Sequence, residues 1–178
     1  MKPSDNRLFF VEEQRFRQAW LWTAIIVMDI AVCLPFLSRY IGLLKSLNFR
    51  PGDSFSLLVA PLICFAITVL FVNLRLVTKI DASGIALQFK PFHRQPIFIG
   101  NKDIKSYFIR TYRPIIEYGG WGIKQGGEGM AYSVSGNQGL QLVLADGRKI
   151  LIGTQKPEQL LNALNTAIKS SGDNRGMQ

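Results

Sequence analysis

Two long apolar runs lie in the first half of the chain, and only short alternating runs follow them. Residues 55–74 are twenty consecutive positions without a charged side chain, and about 20 apolar residues in a helix span a bilayer core. Residues 19–37 form a similar run that begins with Trp20 and Trp22, an aromatic pair typical of a membrane interface. Because backbone groups find no water in hydrocarbon, each run predicts a helix. The pattern therefore predicts a transmembrane helical hairpin over residues 19–74.

The first run contains one charged residue, Asp29, near its centre. A charged side chain at that depth costs about 2.5–3.5 kcal/mol on insertion scales, a cost that the neighbouring apolar residues offset. We therefore expect Asp29 to face protein and not lipid. In an antiparallel hairpin the hydroxyl of Thr68 is its nearest internal partner, and a residue of a second protein is the alternative.

Residues 1–18 mix basic, acidic and apolar side chains. They fit two descriptions equally well, a loose N-terminal tail and a short interfacial helix. A cleaved signal peptide is a weaker interpretation, because the segment before the first apolar run is long and carries acids, and no A-x-A site follows the run.

From Arg75 onward the pattern changes to short alternating runs separated by turn residues, which is typical of β structure. Asp146-Gly147 is a two-residue hairpin signal between two of these runs. The predicted strands, in chain order, are residues 77–80, 85–90, 97–99, 104–112, 121–123, 131–134, 140–145 and 148–153.

The last periodic segment, residues 157–169, predicts a helix. Pro157 suits a first helical position, and Thr154 is available nearby as a cap. Its apolar residues fall at helical spacing and form one face, which has to cover an apolar surface elsewhere. Residues 170–178 are polar and are predicted to form a disordered tail.

This order of elements predicts an α+β membrane protein, in which the transmembrane hairpin is followed by a small β-barrel or sandwich over residues 75–169, capped by the C-terminal helix. Such a domain is of the pleckstrin-homology (PH) type. The stretch YRPIIEYGGWGIK, residues 112–124, is similar to a block in an uncharacterised group of small bacterial membrane proteins. The ending GRKILIGTQKPEQLLNAL, residues 147–164, also resembles bacterial membrane proteins with a PH-like domain. The resemblance covers residues 55–169 and implies a fold and a bacterial source, but no activity.

Basic residues are concentrated in the predicted β domain. Residues 75–178 hold 14 Lys and Arg against 7 Asp and Glu, whereas residues 1–74 hold 7 against 5. The basic residues that flank the two runs slightly outnumber those between them, which favours two passes through the bacterial inner membrane with both termini in the cytoplasm. Cys33 and Cys64 lie inside the apolar runs, so the β domain has neither a disulfide framework nor a zinc cluster.

Basic and aromatic side chains occur together in the middle of the predicted domain. Arg110, Arg113, Trp121 and Lys124 are predicted to contact lipid headgroups or a partner, since each Lys or Arg beside an anionic leaflet contributes about 1 kcal/mol of attraction. The same composition can bind RNA by charge and stacking. A membrane tether accounts for it more simply, and no nucleic acid is expected.

Two glycine-rich motifs, residues 119–122 and 126–129, invite comparison with phosphate-binding loops. Such loops work at a strand-to-helix junction, and no helix is predicted to follow here, so a hairpin or loop is expected. His93 is the only histidine and is predicted to lie in a solvated loop, so a metal site would lack a second imidazole. Glu117 and Glu128 show no spacing that suits acid–base chemistry, and Glu117 is expected to pair with Arg113 or Arg110.

The sequence therefore predicts a non-catalytic, membrane-anchored PH-like module without cofactor or metal, which acts as a scaffold or binds a partner or lipid headgroups. One alternative is an accessory subunit of a membrane complex that is contacted through Asp29. Another is a small enzyme acting on lipid, which needs a reactive centre that the sequence does not offer. The expected partners are lipids of the anionic leaflet and a membrane protein, either another chain or a second copy, and no small-molecule substrate is evident.

Overall fold

The structure is a computed structural model that describes residues 8–46 and 51–173 of the 178-residue chain, with side chains described for residues 8–42 and 59–171. The chain divides into two compact units. The helical unit is Arg17–Asn73, and the β unit comprises Met1–Phe16 and Leu74–Gln178. The helical unit is thus inserted within the sequence of the β unit.

The helical unit contains α1 (Ala19–Ser46) and α2 (Pro51–Asn73), which contact each other. α1 continues beyond the predicted end at Leu37, because apolar residues recur in the sequence after that point and Pro35 is accommodated within the helix. Pro51 was predicted in a turn but is the first residue of α2, a position where its fixed φ and missing N–H are tolerated.

One described segment, Ala19–Gly42, is long and apolar enough to cross a membrane, judged by length and composition. In α2 the described apolar stretch is the shorter Val59–Asn73, and the start of the predicted second span lies outside the described side chains. The large apolar residues of both helices are mostly exposed, among them Ile26, Val27, Leu62 and Phe65. A continuous apolar surface of this kind is typical of contact with lipid or protein.

The first sheet of the β unit, sheet A, is antiparallel with the order β1-β2-β3-β4. Its strands are β1 (Phe10–Arg15), β2 (Arg75–Asp81), β3 (Gly84–Lys90) and β4 (Ile97–Gly100). β1 corrects the prediction of a tail or interfacial helix at residues 10–15, while residues 1–7 lie outside the described chain, and it also shows that a domain starting at residue 75 leaves out one strand. The sequence showed no alternation of apolar and polar residues at β1, because the buried face of this strand carries the polar residues Glu12 and Gln14.

The second sheet, sheet B, has the order β5-β8-β9-β7-β6, with β7 parallel to β9 and the other neighbours antiparallel. A short helix, α3 (Pro114–Tyr118), lies between β5 and β6. All the strands that the sequence predicted are present. The strands of sheet B are β5 (Ile104–Thr111), β6 (Gly122–Gly126), β7 (Gly129–Ser133), β8 (Gln138–Leu144) and β9 (Lys149–Gly153).

The C-terminal helix α4 (Pro157–Asp173) contacts strands of both sheets. Leu160, Leu164 and Ala167 on its apolar face are fully buried, so the predicted covering role of this helix is confirmed. The helix continues to Asp173, which corrects the predicted start of the tail at residue 170, and residues 174–178 lie outside the described chain. The fold is therefore α+β, with apolar helices near the N-terminus, two sheets and a C-terminal helix.

Candidate functional site

Of the four residues predicted to contact headgroups or a partner, Arg110 points to internal partners. Its guanidinium donates to Glu117 Oε2 at 2.7 Å, to the Tyr118 hydroxyl at 2.9 Å and to Gln141 Oε1 at 3.0 Å. It also lies 6.0 Å from the centroid of the Tyr112 ring. Two guanidinium nitrogens thus hold α3 against sheet B, and the third fixes the guanidinium to Gln141 of β8. Arg110 has a structural role here and not the outward contact that was predicted.

Glu117 receives hydrogen bonds from both arginines that were predicted to pair with it. The backbone N–H of Arg113 donates to Glu117 Oε1 at 2.6 Å, while Arg110 binds the other oxygen. The Arg113 N–H lowers the pKa of Glu117, burial opposes this effect, and the Arg110 side chain lowers the pKa further. Glu117 is therefore a charged acceptor that closes the first turn of α3.

The other three predicted contact residues lie at or near the surface. Arg113 and Lys124 are exposed. Trp121 is half-buried, and its Nε1 donates to the backbone oxygen of Gly136 at 2.8 Å, which fixes the indole against the loop between β7 and β8. Arg113 and Lys124 therefore remain accessible to a partner, while Trp121 anchors its own loop.

One end of sheet A carries the strand ends that continue into the helical unit. At this end Arg15 is opposite Arg75, and Arg75 is in turn opposite Lys90. Glu13 bridges two of these charges, since its Oε1 lies 2.7 Å from an Arg15 nitrogen and 3.3 Å from an Arg75 nitrogen. We call this the proximal end of the β unit, and the opposite end the distal end.

Two contacts show that one end of sheet B also belongs to the proximal end. Gln14 Nε2 on β1 donates to the backbone oxygen of Gly153, the last residue of β9, at 2.7 Å. The His93 ring lies edge-on to Tyr132 on β7, with 5.9 Å between centroids, and His93 Nδ1 accepts the backbone N–H of Phe89. His93 is therefore half-buried and held in place, which corrects the prediction of a solvated loop histidine.

Two connecting segments of the β unit expose apolar and basic side chains, and the sequence prediction missed most of these residues. Phe92 and Arg94 lie in the loop after β3, and Ile115 and Ile116 lie on α3, close after Arg113. The sequence did contain a sign of this exposure. Two adjacent isoleucines follow Arg113-Pro114 at a turn, where apolar side chains are seldom buried.

The two ends of the β unit differ in charge. The strand ends and loops of the proximal end, together with the first turn of α4, carry six basic and two acidic side chains, Arg15, Arg75, Lys90, Arg94, Arg113 and Lys156 against Glu13 and Glu158. Those of the distal end carry four of each, Lys102, Lys105, Arg148 and Lys149 against Asp81, Asp103, Glu128 and Asp146. The basic excess of the domain is therefore concentrated where the chain joins the helical unit.

The glycine-rich motif at residues 126–129 serves packing, whereas Gly119 and Gly120 of the other motif have positive φ and open space at their Cβ positions. A Cβ at Gly126 would lie 2.3 Å from the backbone oxygen of Glu117, and one at Gly129 would lie 2.1 Å from that of Lys149. Both distances are far below contact, so side chains are excluded by neighbouring backbone. The motif at residues 126–129 forms the turn of the β6–β7 hairpin, as expected in place of a phosphate loop.

Glu12 forms the most buried carboxylate contact of the β unit. Its Oε2 accepts the Thr154 hydroxyl at 2.6 Å, and its Oε1 accepts the backbone N–H of Gln155 at 3.0 Å. Thr154 Oγ1 in turn accepts the N–H of Lys156 at 2.9 Å, directly before α4. The partially positive start of a helix favours a carboxylate at this place. Glu12 thus ties β1 to the start of α4.

Asp29 and Thr68, the two polar residues predicted to meet inside the helical unit, are in contact. Thr68 Oγ1 donates to Asp29 Oδ2 at 2.8 Å. The other carboxylate oxygen, Oδ1, is buried and has no hydrogen-bond partner among the described residues. The Asp29 carboxylate is therefore half satisfied.

A cleft of about 330 Å³ lies at the distal end, between β4 and the β8–β9 hairpin. Its apolar wall includes Ile97, Ile99 and Ile150, and its rim carries Asp146 and Arg148, which pair at 2.6 Å. None of the predicted site residues lines this cleft.

Within the described residues, no group of three or more His, Cys, Asp and Glu side chains is placed to hold a metal ion. Comparison with protein-family models, with curated proteins and with solved structures finds no match to this chain.

Proposed function

We propose that this chain is a non-catalytic, membrane-anchored module that holds a PH-like β domain at the surface of the bacterial inner membrane, where it serves as a scaffold or binds lipid headgroups or a partner. One observation carries the proposal. The apolar helical unit is inserted between β1 and β2, which are paired neighbours in one sheet. An anchor inserted in this way cannot be lost by fraying of a terminus.

The PH-like assignment is supported by the order of the elements. A four-stranded antiparallel meander is followed by a second sheet and by an amphipathic helix that covers both. Sheet B has five strands and one parallel pair, β7 and β9, which a simple meander does not contain. The β6–β7 hairpin therefore gives this domain a parallel strand pair that a simple meander lacks.

A binding role is supported by what the polar side chains do. Glu12, Glu117 and Glu128 accept hydrogen bonds from other residues of the chain. His93 is held between Phe89 and Tyr132. These groups build the domain, whereas the free basic and apolar side chains lie at its surface.

Membrane insertion and topology test the proposal together. Full-length protein should stay in the membrane pellet after alkaline carbonate extraction. A reporter fused after Gln178 should be active in the cytoplasm, and a reporter placed within residues 38–54 should be active in the periplasm. Release by carbonate would refute the anchor, and a periplasmic C-terminus would refute the proposed topology.

The second candidate is an accessory subunit, and it is favoured by Asp29 Oδ1, which has no hydrogen-bond partner among the described residues. Buried carboxylate oxygens in a membrane are expected to find a hydrogen-bond donor, and a second chain is one source. Asp29→Leu should then abolish co-purifying partners or the oligomer, while Thr68→Val should retain them. If Asp29→Leu stabilises the protein in detergent and retains every partner, this candidate is wrong.

A further inference from the structure

The cleft at the distal end lies along the free edge of a strand. β4 is the outer strand of sheet A, and among the described strands only β3 pairs with it. Three consecutive residues of β4, Ile97, Phe98 and Ile99, line the cleft. Successive side chains of a strand point to opposite faces, so a cleft that touches three residues in a row runs along an edge. Since β3 occupies one edge, the cleft lies along the other, where backbone N–H and C=O groups have no strand partner.

The opposite wall of the cleft is the β8–β9 hairpin, which contributes Leu144 and Ile150 among others. The backbone N–H of Ala145 donates to the backbone oxygen of Asp103 at 2.8 Å, so the hairpin is joined to the segment that follows β4. The volume of about 330 Å³ is near the lower end of the range of ligand pockets, about 300–1,000 Å³. The space therefore suits a short segment of chain that lies beside β4.

The two faces of β4 present different chemistry to this space. Ile97 and Ile99 share one face, and Ile99 is buried, as are Leu144 and Ile150 of the opposite wall. The side chain on the other face is Phe98, which is 55% exposed. The cleft therefore has an apolar inner side and an exposed aromatic outer side.

An acidic group lies on the same side as Phe98. A Cβ at Gly100 would lie 3.1 Å from Asp103 Oδ2 and 3.8 Å from Cε1 of Phe98, so the carboxylate and the ring lie together. Asp103 is exposed and makes no hydrogen bond or ion pair with another described side chain. The other two charged side chains of the cleft, Asp146 and Arg148, pair with each other. A carboxylate beside an aromatic ring attracts a cation by charge and by cation–π contact.

We propose that this cleft binds an extended peptide segment of another protein, which pairs with the free edge of β4 as a fifth strand of sheet A. The side chains of an added strand alternate between the two faces of the sheet. The ligand is therefore a segment in which apolar residues, placed against Ile97 and Ile99, alternate with Lys or Arg, placed against Phe98 and Asp103. This inference rests on the binding role in the proposed function and does not depend on the membrane anchor.

The experiment uses the full-length chain in a neutral detergent and fluorescent seven-residue peptides with capped ends. The alternating probe has valine and arginine in turn, and the block probe has the same composition with the valines together and the arginines together. Fluorescence anisotropy measures binding, with empty micelles as the blank. The alternating probe should bind, and the block probe should bind about tenfold more weakly, the loss expected when one apolar side chain is left unburied.

Backbone methylation tests the edge pairing. The N–H groups of alternate residues in a strand point to the same edge, so methylation of every second amide removes the donors of one edge only. Of the two alternating probes methylated in this way, only one should lose binding. In the unmodified protein, amide hydrogen exchange over residues 97–100 should slow when the alternating probe is added. Exchange over residues 10–15 of β1, the other outer strand of sheet A, should not change.

Matched substitutions test the acidic group. Asp103→Asn should weaken binding of the alternating probe about fivefold, the effect of one exposed ion pair. The side chain of Asp103 has no partner among the described residues, so the fold should not be affected. The control is Asp81→Asn, which removes the same charge at the distal end but outside the cleft, and it should leave the affinity unchanged.

The outcomes keep this inference separate from the anchor. If the alternating probe does not bind, or if both methylations have the same effect, the strand pairing is wrong, while retention in the carbonate pellet would leave the anchor intact. Equal affinities of Asp103→Asn and Asp81→Asn would overturn the preference for basic residues. Protection of residues 97–100 that rises with protein concentration in the absence of a probe would assign the edge to a second copy of this chain and overturn the proposal. Release by carbonate with unchanged probe binding would refute the anchor alone.

Discussion

Two carboxylates, one in each unit, accept a threonine hydroxyl at similar distances, yet their surroundings differ. Glu12 in the β unit accepts Thr154 at 2.6 Å and a backbone N–H with its second oxygen. Asp29 in the helical unit accepts Thr68 at 2.8 Å, and its second oxygen has no partner among the described residues. Both oxygens of Glu12 are hydrogen-bonded, so this contact is structural. Only one oxygen of Asp29 is hydrogen-bonded among the described residues, so the other can accept a further donor.

The difference follows from the secondary structure that surrounds each group. At the β9–α4 junction, backbone N–H groups are not used by a sheet or a helix and are free to bind Glu12. Inside a helix pair, backbone groups bond within their own helices, so Asp29 depends on side chains. In the helical unit, the second oxygen of Asp29 can therefore be satisfied only by another side chain, by a second protein or by a proton on the oxygen itself.

Removing β1 should have the largest effect, because it deletes Glu12 together with the buried Phe10 and Gln14. A variant of residues 75–178 should lack a cooperative thermal transition. A variant that joins residues 8–16 to residues 74–178 by a short turn in place of the helical unit should melt cooperatively, since Arg15 and Arg75 are paired. Circular dichroism melting compares the two, and equal transitions would show that β1 is dispensable.

Glu12→Ala should destabilise the full-length protein by about 3 kcal/mol, because the Thr154 hydroxyl and the Gln155 N–H both lose a buried acceptor. The matched control is Glu13→Ala. Glu13 is a neighbour on the exposed face and makes only surface ion pairs, so its loss should cost less than about 1 kcal/mol. Urea unfolding in detergent measures both. Equal losses of unfolding free energy would mean that the buried hydrogen bonds of Glu12 contribute no more to stability than the surface ion pairs of Glu13.

Acid should weaken the attachment of α3 through Glu117. Its pKa is lowered in the folded state, so the stabilisation is complete above the unfolded value of 4.5 and is lost as the pH falls through the lower folded value. Because the pair is partly exposed, its contribution should be at most about 1 kcal/mol. Glu117→Gln should remove the part of the acid destabilisation that sets in as the pH falls below 4.5. Fluorescence of Trp121, with Trp20 and Trp22 replaced by Phe, reports the unfolding, and an unchanged acid limb would contradict the assignment.

Thr68→Val should have the smallest effect, about 0.6 kcal/mol, which is the average for hydrogen bonds between membrane helices. A double-mutant cycle with Asp29→Asn isolates the coupling between the two side chains. Unfolding in mixed detergent micelles provides the measurement. A coupling above about 2 kcal/mol would show that the Asp29 contact is as closed as that of Glu12.

The sequence by itself determined the elements whose residues alternate or repeat in a regular period. Most strands from Arg75 to Gly153 and the apolar face of α4 were predicted because their buried positions carry apolar side chains, and the Asp146-Gly147 turn was predicted from its residue types. The contact between Asp29 and Thr68 also followed from spacing, since two antiparallel helices of fixed rise bring residues of equal depth together.

Only the tertiary structure decided the role of groups whose partners are distant in the chain. β1 has polar residues on its buried face, and these form hydrogen bonds with residues more than a hundred positions away, so no local pattern reveals the strand. Arg110 and Arg113 look alike in the sequence, but packing of α3 turns one inward and leaves the other at the surface. The physical reason is that periodicity reports burial of apolar area, whereas hydrogen bonds and ion pairs depend on which distant donors and acceptors the fold brings within reach.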